Sequence, residues 1–233
     1  MRKEKEQTII FDKEIISSIL AKVDGRPRAK IISFQRLFGK LNSKEKEFVK
    51  KFLMIDPRRH GFKGASLGMT RIPVNLVVLK KQIYALRRGR VAVDEQYVPR
   101  PVFDAYRKLN QALKKETGKK LLIGSGYRSP AYQVIIFFRY LKFYGFDFSK
   151  TIKRVALPEY SEHCMPQRQA LDFLTTEGIP TDERPFDFEE TKEYCWLRKN
   201  AQQFGFFLSY PRGNRDGMAY EPWHWRFEKH SPN

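Results

Sequence analysis

The chain has 233 residues, enough for one sizeable core or for a domain with an accessory segment packed against it, and its 41% hydrophobic and 14% aromatic content excludes a disordered or fibrous chain. Its 45 Lys and Arg against 26 Asp and Glu leave a net charge of +19, an attraction for nucleic acid, an anionic membrane surface or an anionic cell-wall polymer. The basic residues run from Arg2 to Lys229 with neither a zinc-finger spacing nor a regular aromatic stacking platform, so nucleic acid is disfavoured as main partner and a basic surface for an anionic envelope polymer is preferred.

The N-terminus begins basic, but Asp12, Lys13 and Glu14 interrupt any signal-peptide-like apolar stretch, and no later run reaches the roughly 20 apolar residues that cross a bilayer. The expectation is a soluble chain, placed at the cell envelope, periplasm or outside if a leader has been removed, and otherwise cytoplasmic before a phage-type release. Residues 1 to about 70 read as a basic, mainly helical N-terminal extension, with Ser43 capping a helix that carries Phe48, Phe52 and Leu53. The run Asp56–Gly61 breaks it, and His60 there reads as a surface or turn residue. Leu76, Leu79, Ile83 and Leu86 recur at three and four, predicting one helical face up to Gly89. A second helix after Pro101 should bury Val102, Tyr106, Leu109 and Leu113 and stop at Gly118.

Leu121-Leu122-Ile123 reads as a short buried strand leading into Ser125-Gly126-Tyr127-Arg128-Ser129. Pro130 suits the first turn of a helix that buries Ile135, Phe138 and Leu141 before Gly145. Ala170–Phe173 is strand-like. After an acidic stretch at 177–190, a helix carries Tyr194, Leu197 and Ala201. Phe206–Leu208 and Met218–Phe227 read as two strands of a long-looped hairpin around Pro211–Asn214. Helices first and short strands interleaved later predict an α+β domain. Cys164 and Cys195 allow at most one disulfide.

Of four histidines, His163 lies in Ser161-Glu162-His163 and His224 in Glu221-Pro222-Trp223-His224, with Asp172 inside an apolar strand between them. A buried carboxylate is costly unless paired or bound to metal, and two imidazoles with one carboxylate make a zinc set that leaves a fourth position for water. The spacing is no local metal cassette, so satisfied core histidines and a salt-bridged or capping Asp172 remain open readings. Glu221, three residues before His224, can accept a proton from attacking water or orient His224 instead. Trp223 and Trp225, on either side of His224, should point away from it, into the core or a neighbouring subsite.

Three ordered blocks, Ser125–Ser129 with Gln133, Ser161-x-His163 leading to Ala170-x-Asp172, and Glu221–His224, resemble those of the VanY-type D-alanyl-D-alanine carboxypeptidases, within the zinc peptidases that include lysostaphin-like and Hedgehog-like (LAS) domains. The resemblance covers residues 75 to 228 and implies a peptidase domain over 71–233, with a small antiparallel sheet and flanking helices beside the N-terminal extension. It implies Zn2+ held by His163, Asp172 and His224, with Glu221 as general base and Arg128 steadying the oxyanion. Tyr127, Ser129, Gln133 and Ser161 would contact substrate or hold the loop. The substrate implied is a peptidoglycan stem peptide, cut by a carboxypeptidase or by an endopeptidase of the lysin or wall-remodelling kind; a non-enzymatic envelope-binding module on the same fold is the contrasting class. One departure stands out: His163 and Asp172 are nine apart, two more than is usual in the family, and Arg168 takes a usual glycine's place. An insertion of two keeps strand parity, so it should reshape the cleft rim and leave the metal cage. Cys164, beside His163, should point away from it and not replace a ligand.

Overall fold

A computed structural model describes residues 11–229 apart from 24, 27, 87, 88, 181–183 and 185, so the basic opening at residues 1–10 lies outside the described residues. Three helices come first: α1 (Lys13–Val23), α2 (Phe34–Lys40) and α3 (Ser43–Leu53). The cap of α3 is Asn42, one residue before the expected Ser43. Its side chain accepts from the Glu45 amide at 2.9 Å and Glu45 accepts from the Asn42 amide at 2.8 Å, a capping box that satisfies two otherwise orphaned donors. Glu45 also receives Lys22 Nζ at 2.6 Å and Ser18 Oγ at 2.7 Å, which ties α3 to α1.

These helices share a core with the centre of the chain. Ile16, Ile19, Leu37, Val49 and Phe52 pack in one cluster with Ile135, Phe137, Phe138 and Leu141 of α5 (Pro130–Phe143). That helix is apolar nearly all round, as expected of a helix covered on several sides. His60 sits in a turn with its ring edge-on to Phe148, 4.8 Å between centroids.

The helix expected between Leu76 and Leu86 is absent. Residues 76–99 form β1 (Leu76–Leu79), β2 (Ile83–Leu86), β3 (Gly89–Ala92) and β4 (Gln96–Pro99), with β1 antiparallel to β4 and β2 antiparallel to β3. Four apolar residues at three-four spacing fit two short strands as well as one helix. Paired Val77 and Val78 favour extended chain, and Lys81 at φ 59° turns it between β1 and β2.

Helix α4 (Arg100–Thr117) buries Val102, Tyr106, Leu109 and Leu113 and ends on left-handed Gly118, as its sequence predicts. Then follow β5 (Leu121–Ser125), α5, α6 (Phe148–Ile152), β6 (Ala170–Thr175), α7 (Phe186–Glu189), α8 (Lys192–Asn200), β7 (Phe206–Leu208) and β8 (His224–Phe227). The main sheet has the order β5-β6-β8-β7 and is antiparallel throughout, giving the α+β architecture of a small antiparallel sheet flanked by helices. Leu171 and Phe173 point into a second cluster with α4, Leu197 of α8, Trp223 and Trp225. Asp172 between them therefore faces the opposite side of the sheet. None of the helices among the described residues is long and apolar enough to cross a membrane.

Candidate metal centre and active-site cleft

Strand register assembles the site. Asp172 on β6 lies opposite His224 on β8 and opposite Ser125 on β5, so three neighbouring strands present their chemistry at one level. The expected strand from Met218 begins only at His224. Pro222 favours a turn instead, which the His224 amide closes on the Glu221 carbonyl at 3.1 Å, folding the Glu221 carboxylate to 3.8 Å from His224 Nδ1. Trp223 and Trp225 go to the core, and the Trp225 indole donates to Pro222 O at 2.8 Å.

His163 arrives on a short 3-10 turn at 162–164, locked to the loop after β5. The Arg128 amide donates to His163 O at 3.0 Å, and His163 Nδ1 lies 2.8 Å from Gly126 O. A carbonyl only accepts, so Nδ1 carries the proton and Nε2 keeps its lone pair, 3.1 Å from Asp172 Oδ2. Gly126 is required there: a Cβ would stand 2.4 Å from Tyr97 O on β4. His224 is oriented by a residue the sequence did not single out. Glu162 Oε2 lies 2.9 Å from His224 Nε2, which leaves Nδ1 facing Asp172 Oδ1 at 2.9 Å. Glu162 is itself held by Ser209 Oγ at 2.5 Å, and Tyr210 stacks on the His224 ring at 4.7 Å.

His163 Nε2, Asp172 and His224 Nδ1 thus form one set of ligand atoms, all within 4.8 Å of one another. The His-to-Asp separations approach the edge of about 3.3 Å in a tetrahedron with bonds of about 2.0 Å, and both imidazoles have their other nitrogen bonded to an acceptor, as metal-bound histidines do. The residues fit a zinc ion. Electrostatics agree: burial, with Arg128 nearby, pushes His163 down to about 4, so it stays neutral. Burial also opposes charge on His224, yet the Asp172 and Glu162 carboxylates raise it to about 10; a metal at Nδ1 takes the place of that proton. Burial works against ionised Asp172 too, but the two imidazoles hold it well below the usual carboxylate range. Burial pushes Glu221 up to about 8, Asp172 adding to the rise and His224 opposing it.

Arg128 is clamped in three directions, donating to Ser125 Oγ at 3.0 Å, Gln133 Oε1 at 3.2 Å and Asp172 Oδ2 at 3.1 Å. Gln133 is fixed in turn by donating to Ala156 O at 2.9 Å, and it lines the cleft together with Ser161 and Glu221. Of the four residues expected to contact substrate or hold the loop, two lie off the cleft lining. Ser129 caps α5 by accepting from the Tyr132 amide and donates to Ile32 O at 2.6 Å, while the Tyr127 ring is wholly buried away from the cleft. Both flank Arg128, and in extended chain the neighbours of a cleft-facing residue face inward. Cys164 is buried outside the ligand set, with burial raising its thiol to about 12; a 3-10 turn, not extended chain, separates it from His163. Residues 166–168 form a second such turn beyond the cage, and Arg168 reaches Glu228 at 3.4 Å.

The model of the VanY family, described as D-alanyl-D-alanine carboxypeptidase, matches residues 95–230. The chain belongs to this family. Within 138 residues it is 33% identical to YodJ of Bacillus subtilis (strain 168), covering 58% of this chain and 48% of YodJ, so it spans about half the length of that curated relative. Among solved structures it is similar to the LdcB LD-carboxypeptidase at 27% identity and TM-score 0.54, over 71% of this chain and 73% of that one. It is similar also to the vancomycin-resistance D,D-dipeptidase VanXYg, solved with a D-Ala-D-Ala phosphinate analog, at 25% identity and TM-score 0.52, over 72% and 62% of the two chains. As a VanY-family chain it carries the His-His-Asp set on the strand pair β6–β8 and the turn before β6. Its N-terminal helices lie outside the matched region.

Proposed function

We propose that the chain is a zinc-dependent peptidase that cuts near the end of a peptidoglycan stem peptide at the cell envelope, most simply the terminal D-alanyl-D-alanine bond. The observation that carries this reading is the convergence of His163, Asp172, His224, Glu221 and Arg128, distant in sequence, on one cleft of ≈ 380 Å³. Bound by the His-His-Asp set, zinc supplies Lewis-acid polarisation of the scissile carbonyl and activation of water. Glu221 accepts the proton of the attacking water at a carboxylate oxygen and returns it to the departing amine, leaving the side chain ionised for the next cycle. Its burial makes proton exchange near neutral pH feasible. Arg128, pre-set by Ser125, Gln133 and Asp172, presents its guanidinium to the negative charge that develops on the carbonyl oxygen without having to reorganise.

The activities of LdcB and VanXYg, a carboxypeptidase and a dipeptidase, support removal of a terminal residue over internal cleavage. The net charge of +19 supports recruitment to an anionic wall polymer, an association that should weaken as salt rises. The test is metal analysis with product identification on a stem pentapeptide, comparing the parent with Glu221→Gln. Stoichiometric zinc in both proteins and free D-alanine from the parent alone are expected. Internal fragments would replace the carboxypeptidase by an endopeptidase, and full activity in Glu221→Gln or in metal-free protein would overturn the mechanism.

A further inference from the structure

The matched family region begins at residue 95, yet part of the cleft wall comes from before it. The 3-10 turn Ala29–Ile31 is stitched to the loop that carries Arg128: the Ser129 amide donates to Lys30 O at 2.8 Å and Ser129 Oγ donates to Ile32 O at 2.6 Å. Lys30 Nζ donates to Glu95 O at 2.9 Å, so the side chain is pinned at both ends. It lines the same cleft as Arg128, Arg139 and Arg154. Apart from Glu162, Asp172 and Glu221 at the metal centre, the one carboxylate among the described lining residues is exposed Asp94.

An ammonium gathered with guanidinium groups in a partly desolvated cleft destabilises the fold by itself. Burial, with the charges of Arg128 and Arg139, brings Lys30 down to about 8, only partly opposed by Asp94 and Glu95. Arg139 is steadied on the same wall, donating to Tyr132 Oη at 3.1 Å. An incoming anion offsets the desolvation of Lys30, and a neutral side chain would fill the space at less cost.

We propose that Lys30, with Arg139 beside it, forms a subsite for a carboxylate of the bound peptide, so that the N-terminal segment selects the substrate that the metal centre cuts. This rests on the peptidase reading above. The carboxylate is either the free C-terminus of the peptide or that of an acidic residue within it.

Binding by calorimetry to the 233-residue chain carrying Glu221→Gln separates the two, using matched pairs of D-alanyl-D-alanine peptides: free acid against C-terminal amide, and internal glutamate against glutamine. The acid member of one pair should bind about tenfold to a hundredfold more tightly, the range of a charge-assisted hydrogen bond. Adding Lys30→Met should shrink that preference to within about threefold, and Lys30→Arg should keep most of it. No acid preference in either pair, a preference unchanged by Lys30→Met, or an equal loss for acid and neutral peptides would each overturn the subsite. Release of D-alanine by the zinc-loaded parent, measured in parallel, keeps the two readings apart. Hydrolysis with an unmoved preference sinks the subsite alone, whereas neither hydrolysis nor binding sinks both.

Discussion

The two ends of the cleft are built on opposite principles. At the metal end charges of both signs face each other at 2.9 to 3.1 Å, fixed by strand register and by the Gly126 and Glu162 bonds to the imidazoles. At the other end Lys30 and Arg139 share one sign, with Arg128 between them and the metal end, and Lys30 is held by a segment docked from outside the family region. One end is preorganised around a cation that belongs to the protein. The other is completed by an anion that the substrate brings. The difference separates chemistry from selection: a shift of register would dismantle the first, whereas the docked turn can be retuned one side chain at a time.

The largest expected effect breaks the metal end. Glu221→Gln should lower kcat by about 10² to 10⁴ with zinc content unchanged, read by single-turnover hydrolysis beside metal analysis. The base works ionised, so the parent's rate should climb with pH along an acid limb centred at or below about 8, because a bound cation pulls Glu221 down from its buried value. A rate that fell with rising pH across that window would contradict its role. Next comes Glu162→Ala, which removes the acceptor from His224 Nε2 and should weaken zinc binding about tenfold to a hundredfold in a chelator competition, with Glu162→Gln retaining part of it. Gly126→Ala sharpens the contrast differently. The loop must retreat from Tyr97 O, a loss of about 1 to 3 kcal/mol in denaturant melts that should disturb Arg128 and His163 together.

The metal end was also the end legible in the sequence. His163, Asp172, His224, Glu221 and Arg128 sit in ordered motif blocks, and the strand pattern around Asp172 already marked a carboxylate needing a partner. The misreadings came where local pattern is ambiguous or where a partner lies far along the chain. Leu76 to Leu86 carries a spacing that a turn between two strands reproduces, and the motif block around Arg128 does not say which of its residues meet substrate and which, like Ser129, hold the loop. Glu162 could have been found as the acidic neighbour of a ligand, but its bond to His224 spans 62 positions. Lys30 had no signal at all. One lysine among 45 basic residues becomes distinctive only when the fold sets it beside Ser129, 99 residues on.

The smallest effect is the one that best divides a functional Lys30 from a structural one. Its ammonium titrates at about 8 in the folded chain, against 10.5 for a free side chain, so between these values the unfolded chain binds more protons and the parent's stability rises with pH. Below about 8 the cost of holding the charge is fully present. Lys30→Met keeps the apolar stem and removes that cost, while losing the bond to Glu95 O. After allowance for solvent screening of a partly exposed group, the variant should be more stable than the parent at pH 7 by no more than about 1 kcal/mol. The gain should fade as pH climbs through 8 towards 10.5, when the parent sheds the same charge. Melting temperatures of both proteins across that range decide it. A variant less stable than its parent by the same margin at pH 7 and pH 10 would make Lys30 a packing residue, and the acid-preferring wall would lose its physical basis.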